Sequence, residues 1–268
     1  RRVGGGFGGK AMYPSFLAAL ASDVALKKNL PIRIVLPRET DMAVVGGRQE
    51  MEGHWEVAVD SKTGKLAALH YELWLAHSVQ GENIQKFPLH GIAAAIDECY
   101  DIASMSLTGH LVRQHVVERT AVRAPGHLEA SMLMEAVMDG VACSLGMPQH
   151  KLRESNFFKG KGNTSGLSGG FLPQGSLDDY SNLALWKLVK EKTGYEARVK
   201  AVAEFNKTNV WKKRGISLNP ARYGVFCPPG SSCRVDIFKD GSVQVAVSGA
   251  EIGQGLHTKV GQMVSTVF

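Results

Sequence analysis

The feature that most constrains this chain is a glycine-rich stretch near its start, residues 4–10 (GGGFGGK). Glycine occupies five of the six positions from 4 to 9. Such a run disfavours a regular helix or strand, because glycine loses the most conformational entropy there. Glycine also lets backbone N–H groups approach a ligand without a Cβ in the way. A helical pattern follows directly, so we expect a tight turn at a helix N-terminus, where negative charge is favoured.

The residues alone leave three interpretations of this loop open. A nucleoside-triphosphate loop needs Ser or Thr after the lysine to hold magnesium, and Ala11 stands there instead. A dinucleotide-binding loop is compatible with the helix, the apolar residues 31–36 and the Arg38-Glu39 pair that follow. That interpretation predicts continuing strand–helix–strand units, whereas the next pattern along the chain is a hairpin. The third interpretation is a structural turn without a ligand.

A second glycine-bearing segment, residues 249–258 (GAEIGQGLHT), follows a hairpin pattern and leads into another helical pattern. Two anion-favouring turns in one chain suggest a ligand with several polar groups and at least one phosphate. The Gln254 side chain can donate and accept hydrogen bonds, so it can bind the edge of a heterocycle. It can equally serve as a local cap of the helix. A third turn, residues 120–126, carries a single arginine, Arg123.

The rest of the chain mixes helical and strand periodicities. Apolar residues alternate on both sides of the turn at residues 61–64, which predicts a hairpin, and a second hairpin is predicted around residues 240–241. Residues 31–36 predict a short buried strand. The apolar positions with helical spacing are Phe16, Leu20 and Val24; Leu133, Val137, Val141 and Leu145; Leu185, Trp186 and Val189; Val199, Val202 and Phe205; and Val260, Met263 and Val264. Hairpins among helices, without strict alternation, predict an α+β fold with mixed sheets and packed helices.

Residues 159–175 are rich in glycine, serine and lysine and lack an apolar period, so we interpret them as a linker. The chain would then contain a first subdomain over residues 1–158 and a second over residues 176–268. Ser176 and Asp179 resemble a capping box for the helix after the linker. Both ends of the chain interrupt a structural pattern. We therefore expect further sequence on either side, so that both subdomains are partial.

Composition argues against several functions. The 31 Lys and Arg residues are scattered among 25 Asp and Glu residues, so no basic stripe for nucleic acid is predicted. The cysteines at positions 99, 143, 227 and 233 form no C-x-x-C pair and no zinc-ligand spacing, which indicates free thiols in a reducing compartment. No apolar run approaches the roughly 18 residues of a membrane span. We expect a cytoplasmic protein that binds neither nucleic acid nor membranes.

Four segments together resemble the molybdenum hydroxylases, the family of xanthine dehydrogenase and aldehyde oxidase. They are residues 1–10 (RRVGGGFGGK), 120–130 (TAVRAPGHLEA), 209–220 (NVWKKRGISLNP) and 249–259 (GAEIGQGLHTK). Their order along the chain also matches that family. The resemblance implies two subdomains of a region that binds the molybdenum cofactor, and the aldehyde oxidases are the more similar branch.

The resemblance also implies a set of site residues. The cofactor-binding residues are Gly6, Phe7, Gly8, Arg123, Gly253 and Gln254. Backbone N–H groups of the first loop would donate to a molybdenum oxygen, Arg123 would lie beside the metal, and Gln254 would bond the pterin. No residue is expected to coordinate the metal directly. The family's general-base glutamate would follow Phe268, so we expect no catalytic residue within the chain and no turnover by the chain alone.

Further cofactors and partners follow from the same resemblance. 2Fe–2S clusters and FAD would be carried before residue 1, which agrees with the absence of clustered cysteines here. The partners would be a small-molecule substrate, the remaining domains of the parent chain and a second copy in a homodimer. The implied activity is the oxidation of aldehydes or N-heterocycles with water as the source of oxygen.

Three positions bear on the substrate: Ala11, Gly91 and Pro125. Xanthine-active relatives have a glutamate and an arginine at the positions that align with Ala11 and Gly91. Losing both charged groups leaves a less polar pocket, which favours aldehydes over purines. Pro125 lies in the arginine-bearing turn, whose form here (RAPG) resembles plant aldehyde oxidases. The alternatives are a purine-oxidising xanthine dehydrogenase, a non-catalytic paralogue without cofactor, and a nicotinamide-dependent reductase built on the first loop.

Overall fold

The computed structural model describes residues 5–10, 13–77, 82–117, 119–160, 180–223 and 230–267. By their contacts the residues divide into two units. Unit 1 combines Arg1–Gly47 with Val225–Phe268, and unit 2 is Arg48–Gly224. Helices, a mixed sheet and hairpins are all present, so the predicted α+β fold is confirmed.

Unit 2 is built on a three-stranded sheet. Strands β1 (Met51–Val59) and β2 (Leu66–His77) form the predicted antiparallel hairpin, in which Trp55 lies opposite Tyr71. Strand β3 (Ser104–Arg113) lies parallel to β2 on its other side. A parallel neighbour needs a crossover connection, and the segment between β2 and β3 contains a helix. The sheet is therefore mixed.

Helices supply the other half of the core of unit 2. Helices α3 (Glu82–Ala95) and α4 (His127–Leu145) pack against the strands and against each other, and α5 (Gln149–Asn156) packs on α4. The alternating residues of β2 meet the helical stripe of α4, as the two periodicities predict. Buried members of this core include Leu69, Tyr71, Leu73, Leu75, Ile92, Ile96, Met134, Val137 and Met138. Helix α4 ends at Gly146, which has the left-handed φ of 62° that such a cap requires.

One buried cation lies within this core. Arg153 of α5 is 1% exposed, and its guanidinium donates to carboxylate oxygens of Glu135 and Asp139 at 2.7 Å. The Tyr100 hydroxyl donates to the same Glu135. Because an unpaired buried charge is very costly, this network specifies how α5 docks on α4.

Two further helices complete the described part of unit 2. Helix α6 (Asn182–Thr193) ends at Gly194, where φ is 60°, and α7 (Tyr195–Thr208) follows. Both helices agree with the predicted spacing. Trp186 is 7% exposed, and its indole N–H donates to Glu154 at 3.0 Å, so α6 is attached to the core.

Unit 1 has little interior of its own. Its elements are α1 (Pro14–Lys28), α2 (Arg38–Val45), β4 (Cys233–Ile237), β5 (Val243–Val247) and α8 (Leu256–Ser265). Strands β4 and β5 form the second predicted hairpin. Among the described residues of this unit, only Gly9 is buried. The predicted apolar stripe of α1 is mostly exposed, since Phe16 and Leu20 each retain 55% of their accessible surface.

The predicted strand at residues 31–36 is wrong. These residues pair with no strand in the described part of the chain, and Val35 is 70% exposed. The chain enters α2 directly after Pro37, whose fixed φ suits the residue before a helix, and Glu39 and Asp41 stabilise the first turn. Helices α2 and α3 and strand β3 were not predicted. In β3, Gly109 interrupts the alternation of apolar residues.

The predicted linker, residues 159–175, lies outside the described residues except for positions 159 and 160. Ser176 and Asp179 of the predicted capping box also lie outside them. Helix α6 begins at Asn182, and Ser181 at its N-cap makes no side-chain cap bond. The division into residues 1–158 and 176–268 stays a prediction.

Within the described ranges, no single helix has the length and apolarity to cross a membrane. Helices α4 and α5 meet those criteria only as a pair, and the pair is bent by 117°. The described cysteines, Cys99, Cys143 and Cys233, are free thiols, and Cys227 lies outside the described residues.

Candidate functional site

The first glycine turn presents open backbone donors. The N–H of Lys10 donates to the carbonyl of Gly6 at 3.2 Å, which closes the loop. Phe7 and Gly8 have left-handed φ values of 52° and 79°. Within the part of the chain that the structure describes, the N–H groups of Phe7 and Gly8 have no hydrogen-bond partner. They could therefore donate to a ligand, and their predicted role in cofactor binding stays a prediction.

An ion pair holds the end of this turn. The Lys10 ammonium donates to Asp41 of α2 at 2.8 Å, and Arg38 donates to the same carboxylate at 3.0 Å. The hydrogen bond from Lys10 lowers the pKa of Asp41, and the charges of Lys10 and Arg38 add to the effect. Helix α2 thus positions the glycine turn, which the sequence did not predict.

The second glycine turn is capped by its own carboxylate. Glu251 accepts N–H bonds from Gly253 at 2.6 Å and from Gly255 at 3.1 Å. These bonds, with those from the following amides of α8, lower the pKa of Glu251. The N-terminus of α8 therefore already faces a negative charge. A ligand phosphate would compete with Glu251 for these amides.

Gln254 also bonds within its own turn. Its side-chain oxygen accepts the N–H of Ile252, and its amide nitrogen donates to the carbonyl of Ala250, both at 2.8 Å. This is the local cap that the sequence left open as an alternative. To bind a pterin edge, the Gln254 side chain would exchange these two bonds for bonds to the ligand. That role stays a prediction.

The two glycine turns meet within unit 1. A Cβ placed on Gly253 would lie 3.5 Å from the Cα of Gly5, and a Cβ on Gly6 would lie 3.6 Å from a methyl carbon of Ile252. Gly253 has a φ of 112°, which side-chain-bearing residues rarely adopt. Glycine is thus needed where the turns approach. The two turns therefore approach each other at Gly5, Gly6, Ile252 and Gly253.

The arginine-bearing turn belongs to unit 2. Ala124 and Gly126 have left-handed φ values of 57° and 80°, and the N–H of Gly126 donates to Glu129 at 2.8 Å. Arg48 donates both to Glu129, at 3.1 Å, and to the carbonyl of Arg123. The side chain of Arg123 remains exposed. The turn is therefore held through its backbone, which leaves that guanidinium free for other contacts.

Of the three predicted substrate positions, two lie together. Gly91 of α3 is buried against the turn, and a Cβ there would collide with the carbonyl oxygen of Pro125. A Cβ on Gly126 would lie 2.5 Å from the backbone nitrogen of Ile92. Any side chain at position 91 would thus push α3 away from the turn. That Gly91 and Pro125 line a substrate pocket stays a prediction, and Ala11 lies outside the described residues.

A cluster of side chains that the sequence did not predict lies beside this turn. The rings of His127, which directly follows the turn, and Tyr223 lie 4.7 Å apart. Arg222 forms an ion pair with Asp97, which is fully buried. The adjacent acids at positions 97 and 98 were the available signal, because a buried acid requires a partner. The sequence did not identify Arg222 as the partner of Asp97, because the two residues lie far apart along the chain.

The donor set of the described residues suits an oxygen-rich organic cofactor. Among these residues no group of three His, Cys, Asp or Glu side chains could hold a metal. Open backbone amides and close glycine packing are instead typical of sites for polyanionic or oxygen-rich ligands. The chemistry of the two turns therefore fits a pterin that brings its own metal.

Comparisons with known proteins also indicate a domain that binds a pterin cofactor. Family models of the molybdopterin cofactor-binding domain match residues 1–157 and residues 188–268. The chain belongs to this family of molybdopterin cofactor-binding domains.

Curated relatives match almost the whole of this chain. The chain is 38% identical over 267 residues to indole-3-acetaldehyde oxidase of Arabidopsis thaliana. It is 32% identical over 269 residues to aldehyde oxidase 3 of Mus musculus. Each alignment covers 99% of this chain, but the chain spans only 19% and 20% of the length of these curated relatives.

Solved structures share the fold. The aldehyde oxidoreductase from Desulfovibrio desulfuricans matches with a TM-score of 0.71 and 26% identity, over 91% of this chain and 25% of that one. The CO dehydrogenase from Oligotropha carboxidovorans matches with a TM-score of 0.73 and 18% identity, over 95% of this chain and 33% of that one. The second likeness concerns the fold alone.

Proposed function

We propose that the protein containing this chain is a molybdenum hydroxylase that oxidises aldehydes, or N-heterocycles, with water as the source of oxygen. The observation that carries the proposal is the meeting of the two glycine turns in unit 1. The N–H groups of Phe7 and Gly8 in one turn have no partner among the described residues, and the other turn approaches the first at Ile252 and Gly253. Backbone donors of this kind would suit a pterin with an oxygen-bearing metal.

The residues of this chain would bind and orient rather than react. When bound, the cofactor supplies the two-electron oxidation of the substrate carbon. Gly6, Phe7 and Gly8 would hold its oxygen atoms through backbone N–H groups, and Gly253 and Gln254 would hold the pterin. Lys10 and Asp41 keep the first turn in place. We expect the general base to lie outside this chain, which by itself would not turn over substrate.

We propose aldehydes, rather than purines, as the substrates of the parent protein. The relatives from Arabidopsis thaliana and Mus musculus bear the names of aldehyde oxidases. Ala11 and Gly91 stand where purine-oxidising relatives carry charged residues, and the packing of Gly91 against Pro125 leaves no room for an arginine there without a shift of α3. Oxidation of purines is the alternative that this comparison disfavours.

The remaining partners are part of the same proposal. We include 2Fe–2S clusters and FAD, carried by other domains of the parent protein, as its further cofactors. We also propose a cytoplasmic homodimer that binds neither nucleic acid nor membranes. The scattered charges and the free thiols Cys99, Cys143 and Cys233 support this part.

Cofactor content tests the proposed site. In the full-length protein, Gly253→Ala is expected to lower molybdenum and pterin content strongly, because alanine resists a φ of 112°. Gln254→Ala is expected to lower it to a lesser degree. Gln244→Ala on the exposed face of β5 is the matched control and should keep the wild-type content. Wild-type molybdenum content in both turn variants would contradict the assignment, and a wild type without molybdenum would favour the non-catalytic alternative.

Substrate assays test the preference for aldehydes. The full-length wild type should oxidise benzaldehyde with a higher kcat/KM than hypoxanthine. Turnover of hypoxanthine without turnover of benzaldehyde would replace the aldehyde assignment with that of a xanthine dehydrogenase. Tight binding of NAD by the isolated chain would instead favour the nicotinamide-dependent alternative.

A further inference from the structure

The three-stranded sheet of unit 2 has a covered face and an exposed face. Helices α3 and α4 pack on the face that carries Leu73. Because successive residues of a strand point to opposite faces, the residues next to Leu73 in β2 belong to the other side. We call that side the outer face. Its polar and aromatic side chains include Glu52, His54, Glu56, Glu72, Trp74 and His110.

Trp74 lies at the centre of the outer face. In the strand register it lies opposite Glu52 of β1 on one side and opposite His110 of β3 on the other. The ring of His110 stacks with the indole at a centroid distance of 5.4 Å, and the ring of His54 meets the indole at 5.1 Å and an angle of 67°. The two imidazoles therefore fix the orientation of the indole on the surface of the sheet.

The outer face is acidic, although the chain as a whole has a formal net charge of +6. It carries the carboxylates of Glu52, Glu56 and Glu72. The three strands contain a single Lys or Arg residue, Arg113, which lies at the end of β3 in the register of the covered face. The outer face therefore presents an excess of negative charge to a partner.

The central carboxylates can accept further hydrogen bonds. The Nε2 of His54 lies 3.3 Å from Glu52, and the Nε2 of His110 lies 3.2 Å from Glu72. A carboxylate has two oxygens and about four acceptor positions. The side chain of Glu52 keeps 75% of its accessible surface. It can therefore receive donors from a ligand in addition to its imidazole neighbour.

A groove of about 470 Å³ lies beside the indole. Its lining includes Glu50 and Glu52 of the β1 side, Trp74 of β2 and Val112 of β3. The guanidinium of Arg119 already donates to Glu50 at 2.6 Å. An indole and the carboxylate of Glu52 thus face one space, next to a guanidinium–carboxylate pair of the chain itself.

A guanidinium group matches these features. It is planar, it can donate two parallel hydrogen bonds to one carboxylate, and it stacks on an indole. The carboxylates would repel the phosphates of nucleic acids and of anionic lipids. For a metal ion, the described residues offer no group of three His, Cys, Asp or Glu side chains. The chemistry of the outer face therefore favours a peptide that carries arginine.

We propose that the outer face is a docking surface for an arginine-bearing segment of a partner protein, with one guanidinium in the groove against Trp74 and Glu52. A second groove, of about 580 Å³, is lined by Glu56 and Glu72 and would take a neighbouring arginine. His54 lines both grooves, so they adjoin. The proposal goes beyond the proposed function, since it involves neither the glycine turns nor the arginine-bearing turn.

The test is the binding of a fluorescein-labelled hexa-arginine peptide to the full-length protein, measured by fluorescence anisotropy at physiological ionic strength. Glu52→Gln removes one charge from an exposed side chain and should raise the Kd about threefold. Trp74→Leu keeps an apolar residue but removes the ring, and it should raise the Kd about fivefold.

Two controls separate the outer face from general attraction by charge. Glu191→Gln in α6 removes an exposed carboxylate from another surface of unit 2 and should leave the Kd unchanged. A hexa-lysine peptide carries the same charge without a guanidinium. It should bind the wild type about threefold more weakly than hexa-arginine.

The results that would overturn the docking surface are distinct. They are a wild type that does not bind hexa-arginine, or Glu52→Gln and Trp74→Leu variants that bind it as tightly as the wild type. Equal affinity for hexa-lysine would overturn the role of the guanidinium, and an equal loss with Glu191→Gln would place the peptide elsewhere. If Trp74→Leu does not fold, the double variant Glu52→Gln/Glu72→Gln decides, with an expected rise in Kd of about tenfold.

Discussion

The two units of the chain are organised in opposite ways. Unit 2 has a continuous core between its mixed sheet and helices α3 to α5, in which Leu73 and Met134 are 0% exposed. Unit 1 has no buried apolar side chain among its described residues, and Leu26 of α1 is 83% exposed. Yet unit 1 carries both glycine turns that meet, whereas unit 2 carries the arginine-bearing turn. Side-chain packing specifies the second region, and backbone geometry specifies the first.

The turns of the two units depend on different interactions, so they should respond differently to substitutions. In unit 2 the arginine-bearing turn is supported by Arg48 and by the close packing of Gly91, so its shape depends on the core. In unit 1 the turns depend on left-handed glycines and on the caps that Glu251 and Gln254 provide. The same substitution of an apolar residue should therefore change the free energy of unfolding much more in unit 2 than in unit 1.

The largest effect is expected at the buried cation of unit 2. Arg153→Met in the 268-residue chain should lower the free energy of unfolding by about 3–5 kcal/mol, because the buried Glu135 would lose the positive charge that pairs with it. Urea unfolding followed by tryptophan fluorescence measures this, since all four tryptophans lie in unit 2. The double variant with Glu135→Gln should recover part of the loss. A single variant as stable as the wild type would mean that the core does not depend on this pair.

Removal of a core side chain should have the next largest effect. Leu73→Ala in β2 is expected to cost about 2–5 kcal/mol, through lost burial and the cavity that remains. The same urea titration measures it. A cost below about 1 kcal/mol would show that neighbouring side chains move into the cavity, and that the core of unit 2 is not tightly packed around position 73.

A pH titration should show a smaller, graded effect in unit 2. Burial raises the pKa of Glu98 from its ordinary value of 4.5 to about 7. Between these two pH values the folded state holds a proton that the unfolded state has lost, so the stability contributed by Glu98 is fully present below about pH 4.5 and is lost as the pH rises through 7. Glu98→Gln should flatten this part of the profile. A wild-type profile that rises between pH 5 and 7 would contradict the assignment.

The smallest effect is expected in unit 1. Leu20→Ala makes the same chemical change as Leu73→Ala, but Leu20 is 55% exposed, so the cost in the 268-residue chain should be about 0.5 kcal/mol or less. Far-UV circular dichroism during thermal unfolding measures it. Repeating the substitution in the full-length protein sharpens the comparison. A larger cost there would show that other parts of that protein cover α1.

Much of the fold could be predicted because its signals are local. The hairpins around residues 61–64 and 240–241 follow from alternation and turn residues, and the helices that end at Gly146 and Gly194 follow from spacing and caps. The strand predicted at residues 31–36 failed because an apolar run becomes a strand only where a neighbouring strand pairs with it. Strand β3 was not predicted because its residues do not alternate regularly. It forms because β2 lies beside it and supplies the backbone hydrogen bonds.

The sequence by itself determined the positions of the two glycine turns, the family to which they belong and the absence of a charged residue at position 91. These depend on backbone freedom and on residue type, which are properties of short segments. Only the tertiary structure decided that Gly253 meets Gly5, that the amides of α8 are already bonded to Glu251 and that Arg222 finds Asp97. Contacts of this kind depend on where distant segments are brought by the packing of the whole chain, and no local pattern encodes that.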